Sequence, residues 1–283
     1  MKIHKNKWLY VLLSLPFLLY FFYFQNNSLV VSDYTVSSDD LPQAFDGYRI
    51  VQLSDLHNKS FGKNQRDLVQ KVESSAPDSI VFTGDLIDST KYKEPPSLIL
   101  MEELVQIAPV YYVTGNHEWE SGRFNTFEEK LTDIGVQVMR NKTERIARDG
   151  EEILMTGIDD PANAEESISK NARTKKNITD AMGEMNEDDF QILLAHRPEM
   201  ISLYAEYGFD VVFSGHAHGG QFRLPYTGGL FAPGQGFFPE YTSGKHMLDG
   251  TAMIVNRGLG NSIIPVRIFN RPEIVTVTLK SER

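Results

Sequence analysis

Five short strand-like runs end directly in polar residues, and this pattern limits the possible folds more than any other feature of the chain. The runs are rich in Val, Ile, Leu, Phe and Tyr and cover residues 48–53, 79–83, 110–114, 191–195 and 211–214. Stretches with helical periodicity separate several of them. We therefore expect a mixed α/β fold with antiparallel additions, in which the polar residues lie outside the carboxyl ends of the strands.

The polar residues that follow the runs are Asp, Asn and His, mostly beside a glycine that permits a sharp turn. In chain order the motifs are Ser54-Asp55-Leu56-His57, Gly84-Asp85, Gly115-Asn116-His117-Glu118, His196 and Gly215-His216-Ala217-His218. Five of the seven histidines of the chain are in these motifs. Each motif alone is common, because a strand-end Asp often caps the next helix and a lone His is usually structural. The full set in this order is not explained by chance.

The side chains in these motifs are of types that commonly bind metal ions in proteins. Imidazole, carboxylate and amide oxygen suit Mn, Fe or Zn, and the absence of cysteine excludes a zinc–thiolate site or a thiolate nucleophile. Two aspartates, one asparagine and four histidines are enough for two divalent ions. Two ions about 3.5–4 Å apart can activate water and hold both oxygens of an in-line displacement. The pattern therefore predicts a two-metal hydrolytic site.

The order of the motifs resembles the signature of the calcineurin-like metallophosphoesterase family over roughly residues 46–280. Residues 215–221 (GHAHGGQ) and 257–260 resemble the branch labelled YkuE- or YaeI-like phosphodiesterases. The resemblance implies a four-layer α-β-β-α sandwich with the site at its strand ends. It also implies a hydrolase that acts on phosphate esters.

The resemblance further implies a role for each residue of the site. One metal ion would be bound by Asp55, His57 and His218, the other by Asn116, His196 and His216, and Asp85 would bridge them. A hydroxide bridging the ions would attack phosphorus. His117 would lie near the phosphate and either stabilise charge or protonate the leaving oxygen, which is typically worth about 10²–10⁴-fold. We interpret Glu118 either as a side chain that orients a histidine or as a charge at a helix N-terminus.

The first residues of the chain predict a membrane anchor. Residues 8–24 are almost entirely apolar, and as a helix they would span about 26 Å, the short end of what crosses a bilayer. The three basic residues before them are Lys2, Lys5 and Lys7. We expect a single-pass anchor of the cell membrane with a cytoplasmic N-terminus and an extracellular body, and a cleaved secretory signal is the alternative. The remaining divisions are a tail at 1–7, a linker or edge segment at 25–45 and one catalytic domain at 46–283.

The charge of the chain is divided unevenly. The 28 basic and 38 acidic residues give a net charge of −10, and residues 1–24 carry three lysines and no acid, so the rest carries −13. A body this acidic is not expected to bind nucleic acid, which requires many lysines and arginines. Two divalent ions would offset the charges of Asp55 and Asp85 and could leave the site locally positive.

We therefore expect a membrane-anchored, metal-dependent phosphoester hydrolase, specifically a phosphodiesterase, with a lipid-linked or other cell-envelope substrate. Two alternatives stay open: another dinuclear hydrolase, such as an amidase or peptidase, and a non-catalytic anchored metal-binding protein. The stretch 219–244, rich in Gly, Pro and aromatic residues, is either a lip that contacts the substrate or the bilayer, or a loop packed on itself.

Overall fold

The computed structural model describes residues 4–163, 167–183, 189–224, 226–261 and 265–282, with side chains in the first helix from residue 13 onward. The helices are α1 (His4–Asn27), α2 (Arg66–Ser74), α3 (Pro95–Leu104), α4 (Asn116–Glu120), α5 (Phe124–Ile134), α6 (Lys170–Met182) and α7 (Ile201–Glu206). The longer strands are β1 (Val30–Ser38), β2 (Arg49–Leu53), β3 (Ser79–Thr83), β4 (Val110–Val113), β6 (Lys142–Arg148), β7 (Glu151–Gly157), β8 (Gln191–Leu194), β9 (Val211–Ser214), β14 (Gly244–Leu248), β15 (Thr251–Val255) and β16 (Glu273–Ser281). The two-residue strands are β5 (Gln137–Val138), β10 (Arg223–Leu224), β11 (Gly228–Gly229), β12 (Phe231–Ala232) and β13 (Gly236–Phe237).

Two six-stranded mixed sheets form the centre of the fold. The first has the order β1-β16-β2-β3-β4-β5 and the second has the order β14-β15-β9-β8-β7-β6. Strands β2, β3 and β4 run parallel to one another, as do β15, β9, β8 and β7. The loops after parallel neighbours therefore leave each sheet at one edge, which is where the polar motifs follow β2, β3, β4, β8 and β9.

Apolar side chains on both faces of the strands hold the layers together. In β3, Ile80 and Phe82 pack in a cluster with residues of α2, α3 and α5, whereas Val81 belongs to the cluster between the sheets. Successive side chains of a strand point to opposite faces, so one strand contributes to both clusters. A third cluster joins the second sheet to α6 and α7 through Ile178 and Ile201. The predicted mixed α/β class is confirmed.

The N-terminal segment forms α1, and edge strand β1 follows it. Strand β1 pairs in parallel with β16 from Val30 opposite Glu273 to Ser38 opposite Ser281. Among the residues that the structure describes, none of the helices has the length and apolar character needed to cross a membrane. Residues 1–3 of the predicted tail lie outside the described residues.

Candidate metal centre

The eight side chains predicted for the site lie together where the loops after β2, β3, β4, β8 and β9 meet. Two groups have ligand atoms within 4.8 Å of one another: Asp55, His57, Asp85 and His218 form the first, and Asp85, His196 and His216 form the second. Asn116 and His117 line the same cavity as Asp85, His216 and His218. The sequence therefore identified residues that the fold brings together, and their assignment as metal ligands stays a prediction.

The first group presents two histidine nitrogens and two carboxylates to one another. Nε2 of His57 and Nε2 of His218 face each other at 3.1 Å. Asp55 Oδ1 lies 3.3 Å from His218 Nε2, and Asp85 Oδ2 lies 3.6 Å from His57 Nε2. All four residues are buried. This donor set fits a borderline divalent cation such as Mn, Fe or Zn.

The second group repeats this arrangement around the same aspartate. Nε2 of His196 and Nδ1 of His216 lie 3.1 Å apart, and Asp85 Oδ2 lies 3.3 Å from His196 Nε2. His196 Nδ1 donates a hydrogen bond to the carbonyl oxygen of Thr83 at 2.6 Å, so Nε2 is the nitrogen left with a free lone pair. Asp85 Oδ2 is thus close to a histidine nitrogen in each group, as a bridging carboxylate must be.

Asn116 offers an amide oxygen that no protein group uses. Its Oδ1 is buried without a hydrogen-bond partner among the described residues, while its Nδ2 donates to Glu120 at 3.0 Å. A buried acceptor without a partner is costly, and a bound cation is one way to satisfy it. This orphaned oxygen and the facing histidine nitrogens show that the residues fit a pair of divalent cations.

The pKa values of three of the four histidines favour the neutral form, which is the form that binds metal. Burial lowers the pKa of His57 to about 4 and holds the pKa values of His216 and His218 well below their ordinary value. Burial also lowers the pKa of His196, but the Asp85 carboxylate more than offsets it and raises this pKa to about 10. Neutral imidazole is the form that binds metal, and a divalent cation would take the place of the proton on His196.

Five of the seven predicted ligands have left-handed backbone conformations. The φ angles are 52° at Asp55, 48° at His57, 53° at Asp85, 63° at His216 and 47° at His218. Such a conformation costs a residue with a side chain about 1–2 kcal/mol. The backbone strain is therefore concentrated in the loops that place the predicted ligand side chains in the two groups.

Glycine is required at two of these turns because other groups occupy the space of a side chain. A Cβ on Gly84, whose φ is +89°, would lie 2.6 Å from Gly115 N and 2.6 Å from His196 Nδ1. A Cβ on Gly215 would lie 1.9 Å from Ser54 Oγ. These glycines therefore let the loops of the two sheets approach closely.

His117 is held by the loop that follows β3. The backbone N–H of Ser89 donates a hydrogen bond to His117 Nδ1 at 3.0 Å, and Ser89 Oγ lies 3.0 Å from the same nitrogen. Because Nδ1 accepts this hydrogen bond, Nε2 carries the proton of the neutral ring. No motif includes Ser89, and the sequence has no signal for this contact between loops.

Glu118 makes no hydrogen bond to a histidine among the described residues, so the interpretation that it orients a histidine is wrong. The alternative is confirmed, because Glu118 lies in the first turn of α4 and accepts a hydrogen bond from the N-cap residue Gly115. Its buried carboxylate accepts hydrogen bonds from the backbone N–H groups of Asp85 at 2.9 Å, Leu86 at 2.9 Å, Ile87 at 3.2 Å and Gly115 at 2.7 Å. Burial raises the pKa of Glu118 to about 7, and the nearby Asp85 charge adds to this. Glu118 therefore shapes the loop that carries the shared aspartate.

Three charged residues outside the motifs lie beside the outer nitrogens of histidines that are predicted ligands. Arg197 Nη1 lies 3.2 Å from His216 Nε2, Arg267 Nη2 lies 3.5 Å from His218 Nδ1, and Asp88 Oδ2 lies 3.8 Å from His57 Nδ1. Arg197 also donates two hydrogen bonds to Asp160, at 2.8 and 3.1 Å. A guanidinium group can only donate hydrogen bonds, and the positive charges of Arg197 and Arg267 add to burial in lowering the pKa values of His216 and His218, which favours the neutral rings that bind metal. Only Arg197, which directly follows His196, has a position in the sequence that points to the site.

Two cavities meet at His117 and Thr90, and both residues line each cavity. The smaller, of about 230 Å³, contains five of the predicted site residues. The larger cleft, of about 670 Å³, extends from His57 and His117 toward several lysines. A groove of about 690 Å³ around Arg49 and Thr276 contains none of the predicted ligands.

The structure bears on one of the two interpretations of the stretch 219–244, the loop packed on itself, whereas a lip that contacts the substrate or the bilayer stays a prediction. The stretch is partly packed on itself, since the side chain of Gln235 makes hydrogen bonds to the backbone of Tyr241 at 2.8 and 2.9 Å. It also reaches the site, because Pro233 lines the smaller cavity. Phe237 is exposed at its surface.

Comparison with known proteins agrees with this geometry. Residues 48–220 match the profile of the family described as calcineurin-like phosphoesterase. The chain is 31% identical over 264 residues to the Bacillus subtilis protein named Uncharacterized metallophosphoesterase YkuE, with 92% of this chain and 88% of the relative covered. It is 28% identical to Uncharacterized metallophosphoesterase YkoQ of the same organism, with 93% and 97% covered.

A vertebrate relative is longer than this chain. The Danio rerio protein named Transmembrane protein with metallophosphoesterase domain is 30% identical over 260 residues, which are 88% of this chain and 57% of the relative. The residues that match the family profile contain the five strand-end motifs, whereas Gln221 of the stretch 215–221 and the late segment at 257–260 lie beyond the profile. The chain belongs to the calcineurin-like phosphoesterase family and is a metallophosphoesterase, a hydrolase of phosphoester bonds.

Proposed function

We propose that this metallophosphoesterase is a two-metal phosphodiesterase that α1 holds at the membrane. The two-metal proposal rests on the position of Asp85. Its Oδ2 lies 3.3 Å from His196 Nε2 and 3.6 Å from His57 Nε2, in a place common to both ligand groups. A carboxylate shared by two sets of imidazoles is the arrangement that a dinuclear centre needs.

The residues around the centre divide the chemistry among themselves. Two divalent cations, when bound, supply positive charge for the phosphate oxygens and make water more acidic. Arg197, held by Asp160, adds its positive charge to the effect of burial and keeps the pKa of His216 low, so this ring stays neutral. His117 has its N–H at Nε2 and lines both cavities, so it can donate a hydrogen bond to the leaving oxygen and stabilise the charge that develops there.

The two adjoining cavities support a preference for diesters over monoesters. A phosphodiester carries an organic group on each side of phosphorus, and the cavities on the two sides of His117 provide a place for each group. A monoester would leave one of them without an occupant.

The test compares two chromogenic esters with the full chain in detergent and Mn²⁺. We expect faster turnover of bis-p-nitrophenyl phosphate than of p-nitrophenyl phosphate, and at least about a 10³-fold loss in Asp85→Asn and His216→Ala. His246→Ala is the matched control, because His246 lies in β14 outside the site and contacts the carbonyl oxygen of Ser243. Full activity of Asp85→Asn would overturn the proposal, and cleavage of peptides without phosphoester turnover would favour an amidase or peptidase.

The proposed membrane anchor is supported by the surface of α1. Phe17, Leu19, Tyr20 and Tyr23 are 76%, 61%, 67% and 68% exposed, which is unusual for large apolar and aromatic side chains in water. Lysines precede the apolar residues, and the Danio rerio relative is named a transmembrane protein. By the positive-inside rule, the N-terminus would be cytoplasmic and the catalytic domain extracellular.

Membrane extraction tests the anchor and protease digestion tests its orientation. We expect the full chain to stay with membranes through a high-salt wash and to be released by detergent. Protease added to intact cells should digest the catalytic domain. Release by salt alone would contradict the anchor, and protection from the protease would contradict the orientation.

A further inference from the structure

We infer that the cleft beside the metal centre binds the headgroup of a membrane phospholipid that carries a second anionic group. The phosphoester to be cleaved would lie at the metal centre and the second group at the lysines of the cleft. This inference rests on the proposed function, since it needs both the hydrolytic site and the membrane anchor.

The cleft joins the candidate metal centre to a basic surface. It has a volume of about 670 Å³, and His57 and His117 line its inner end. Its outer part is lined by Lys59, Lys91 and Lys93, with Asn58 and Asn261 beside them. The cleft can therefore receive an anion that is attached to a group already held at the metal centre.

The charge of the cleft is positive although the body of the protein is acidic. Asp88 is the one acid among the described residues that line it, and Asp88 Oδ1 already accepts hydrogen bonds from the backbone N–H groups of Thr90 and Lys91. The structure records no ion pair between a described carboxylate and Lys91 or Lys93, which are exposed, whereas burial lowers the pKa of Lys59 to about 7. The ammonium groups of Lys91 and Lys93 can bind phosphate through charge-assisted hydrogen bonds.

The end of α1 is attached to the rim of this cleft. Lys59 Nζ donates a hydrogen bond to the backbone oxygen of Asn26, in the last turn of α1. The side-chain oxygen of Asn26 accepts hydrogen bonds from the backbone N–H of Arg267 at 2.9 Å and from Asn261 Nδ2 at 3.3 Å. Lys59 and Asn261 both line the cleft, so the helix ends where the cleft begins.

Aromatic side chains continue the apolar surface of α1 onto the catalytic domain. The ring of Phe21 in α1 contacts the ring of Phe269 at a centroid distance of 5.7 Å, and Phe269 is 57% exposed. If α1 lies in a bilayer, this contact and the bonds of Asn26 place the cleft at the level of the lipid headgroups. A lipid could then reach the site with its acyl chains still in the membrane.

The reaction at such a headgroup is hydrolysis of one phosphodiester bond. The oxygen of water forms a bond to phosphorus, and the bond from phosphorus to the leaving oxygen breaks. The leaving oxygen takes up a proton, and the products are a phosphomonoester and an alcohol. No oxidant, reductant or other co-reactant is needed.

The experiment compares the rate at which intact lipids are cleaved with the rate at which their deacylated headgroups are cleaved. The full chain is reconstituted with Mn²⁺ in vesicles of phosphatidylcholine mixed with cardiolipin, or with phosphatidylglycerol phosphate, and phosphate-ester cleavage is measured. The same rates are measured with the deacylated, water-soluble headgroups and with bis-p-nitrophenyl phosphate. Because anchored enzyme and substrate share one surface, we expect at least one of the two lipids to be cleaved about a hundredfold faster than its soluble headgroup.

Charge reversal in the cleft tests the lysines. We expect Lys91→Glu/Lys93→Glu to lower the ratio of lipid cleavage to bis-p-nitrophenyl phosphate cleavage by about tenfold or more, from the loss of charge-assisted hydrogen bonds. Lys63→Glu/Lys71→Glu is the matched control, because both lysines are exposed and neither lines the cleft. This control should leave the ratio unchanged.

The outcomes separate the inference from the proposed function. If bis-p-nitrophenyl phosphate is cleaved but neither lipid is cleaved faster than its soluble headgroup, the inference is overturned and the hydrolase assignment stands. An equal loss in both double variants also overturns it, because overall charge would then explain the effect. If no phosphoester is cleaved, the proposed function fails, and the inference fails with it.

Discussion

Asp55, His57, Asp85, His216 and His218 each combine a side chain of the candidate centre with a left-handed backbone. At about 1–2 kcal/mol for each residue, the summed strain is comparable to the net stability of a typical domain. The rest of the fold must therefore hold these loops in place. Contacts such as that of Glu118 with the backbone of the Asp85 loop are part of this support.

The hydrogen bond that His117 Nε2 can donate predicts a dependence on the leaving group. An alkyl oxygen leaves as a much stronger base than p-nitrophenolate and gains more from this hydrogen bond, so His117→Ala should slow an alkyl phosphodiester by about 10²–10³-fold and the p-nitrophenyl diester far less. Steady-state rates with glycerophosphoglycerol and bis-p-nitrophenyl phosphate measure this difference. Equal losses on the two esters would show that His117 does not act on the leaving oxygen.

Gly84 predicts a second difference between matched variants. Gly84 and Gly150 have nearly the same φ, +89° and +86°, but a Cβ at Gly150 would meet no atom of the described residues within 4 Å. We expect Gly150→Ala to cost about 1 kcal/mol of unfolding free energy and Gly84→Ala to cost at least about 3 kcal/mol. Urea unfolding of the two variants measures the costs, and similar values would contradict the close packing of the loops.

At the level of elements, the buried strands could be predicted and helix α6 could not. The five motif-bearing strands lie within one residue of their expected bounds, because strands buried on both faces are continuous apolar runs. Helix α6 was not predicted. Its buried face includes Thr174 and Asn177 beside Ile178 and Ala181, so polar residues interrupt the apolar pattern.

The start of β9 predicts a pH effect on stability. Asp210 accepts a hydrogen bond from the backbone N–H of Gln191 at 2.7 Å, and burial raises its pKa to about 6. The folded chain then holds this proton more tightly than the unfolded chain, so the contribution of Asp210 is full below its ordinary pKa and is lost as the pH rises through about 6.

Asp210→Asn should remove that contribution. We expect the unfolding free energy of the variant, relative to that of the parent chain, to increase by about 1–2 kcal/mol between acid and neutral pH. The increase is limited to this size because part of the Asp210 carboxyl is exposed and stays solvated. Urea unfolding of both proteins across this range gives the difference, in which the other titrating groups cancel. A difference that does not change with pH would contradict the raised pKa.

At the level of the whole molecule, the candidate centre lies between the two sheets. Asp55, His57, Asp85 and Asn116 follow strands of the first sheet, whereas His196, His216 and His218 follow strands of the second. The sequence predicted that these residues meet, because they follow parallel strands. It could not predict which sheet each strand joins, since strand order depends on distant contacts such as that of β16 between β1 and β2.

Contacts between residues distant in the sequence also explain which site residues could not be predicted. Ser89 and Arg267 contact His117 and His218 only because separate loops converge in the folded chain. Neither is part of a motif at a strand end. Residues that follow a buried strand can be predicted from local pattern, whereas residues that support them from other loops require the three-dimensional structure.

The most direct test of the central claim is electron paramagnetic resonance of the full chain loaded with Mn²⁺. The shared position of Asp85 predicts two manganese ions in each chain with an exchange-coupled spectrum, and Asp85→Asn should remove the coupling. His246→Ala should retain it. A single bound ion, or a spectrum of isolated Mn²⁺ in the parent chain, would contradict the dinuclear centre.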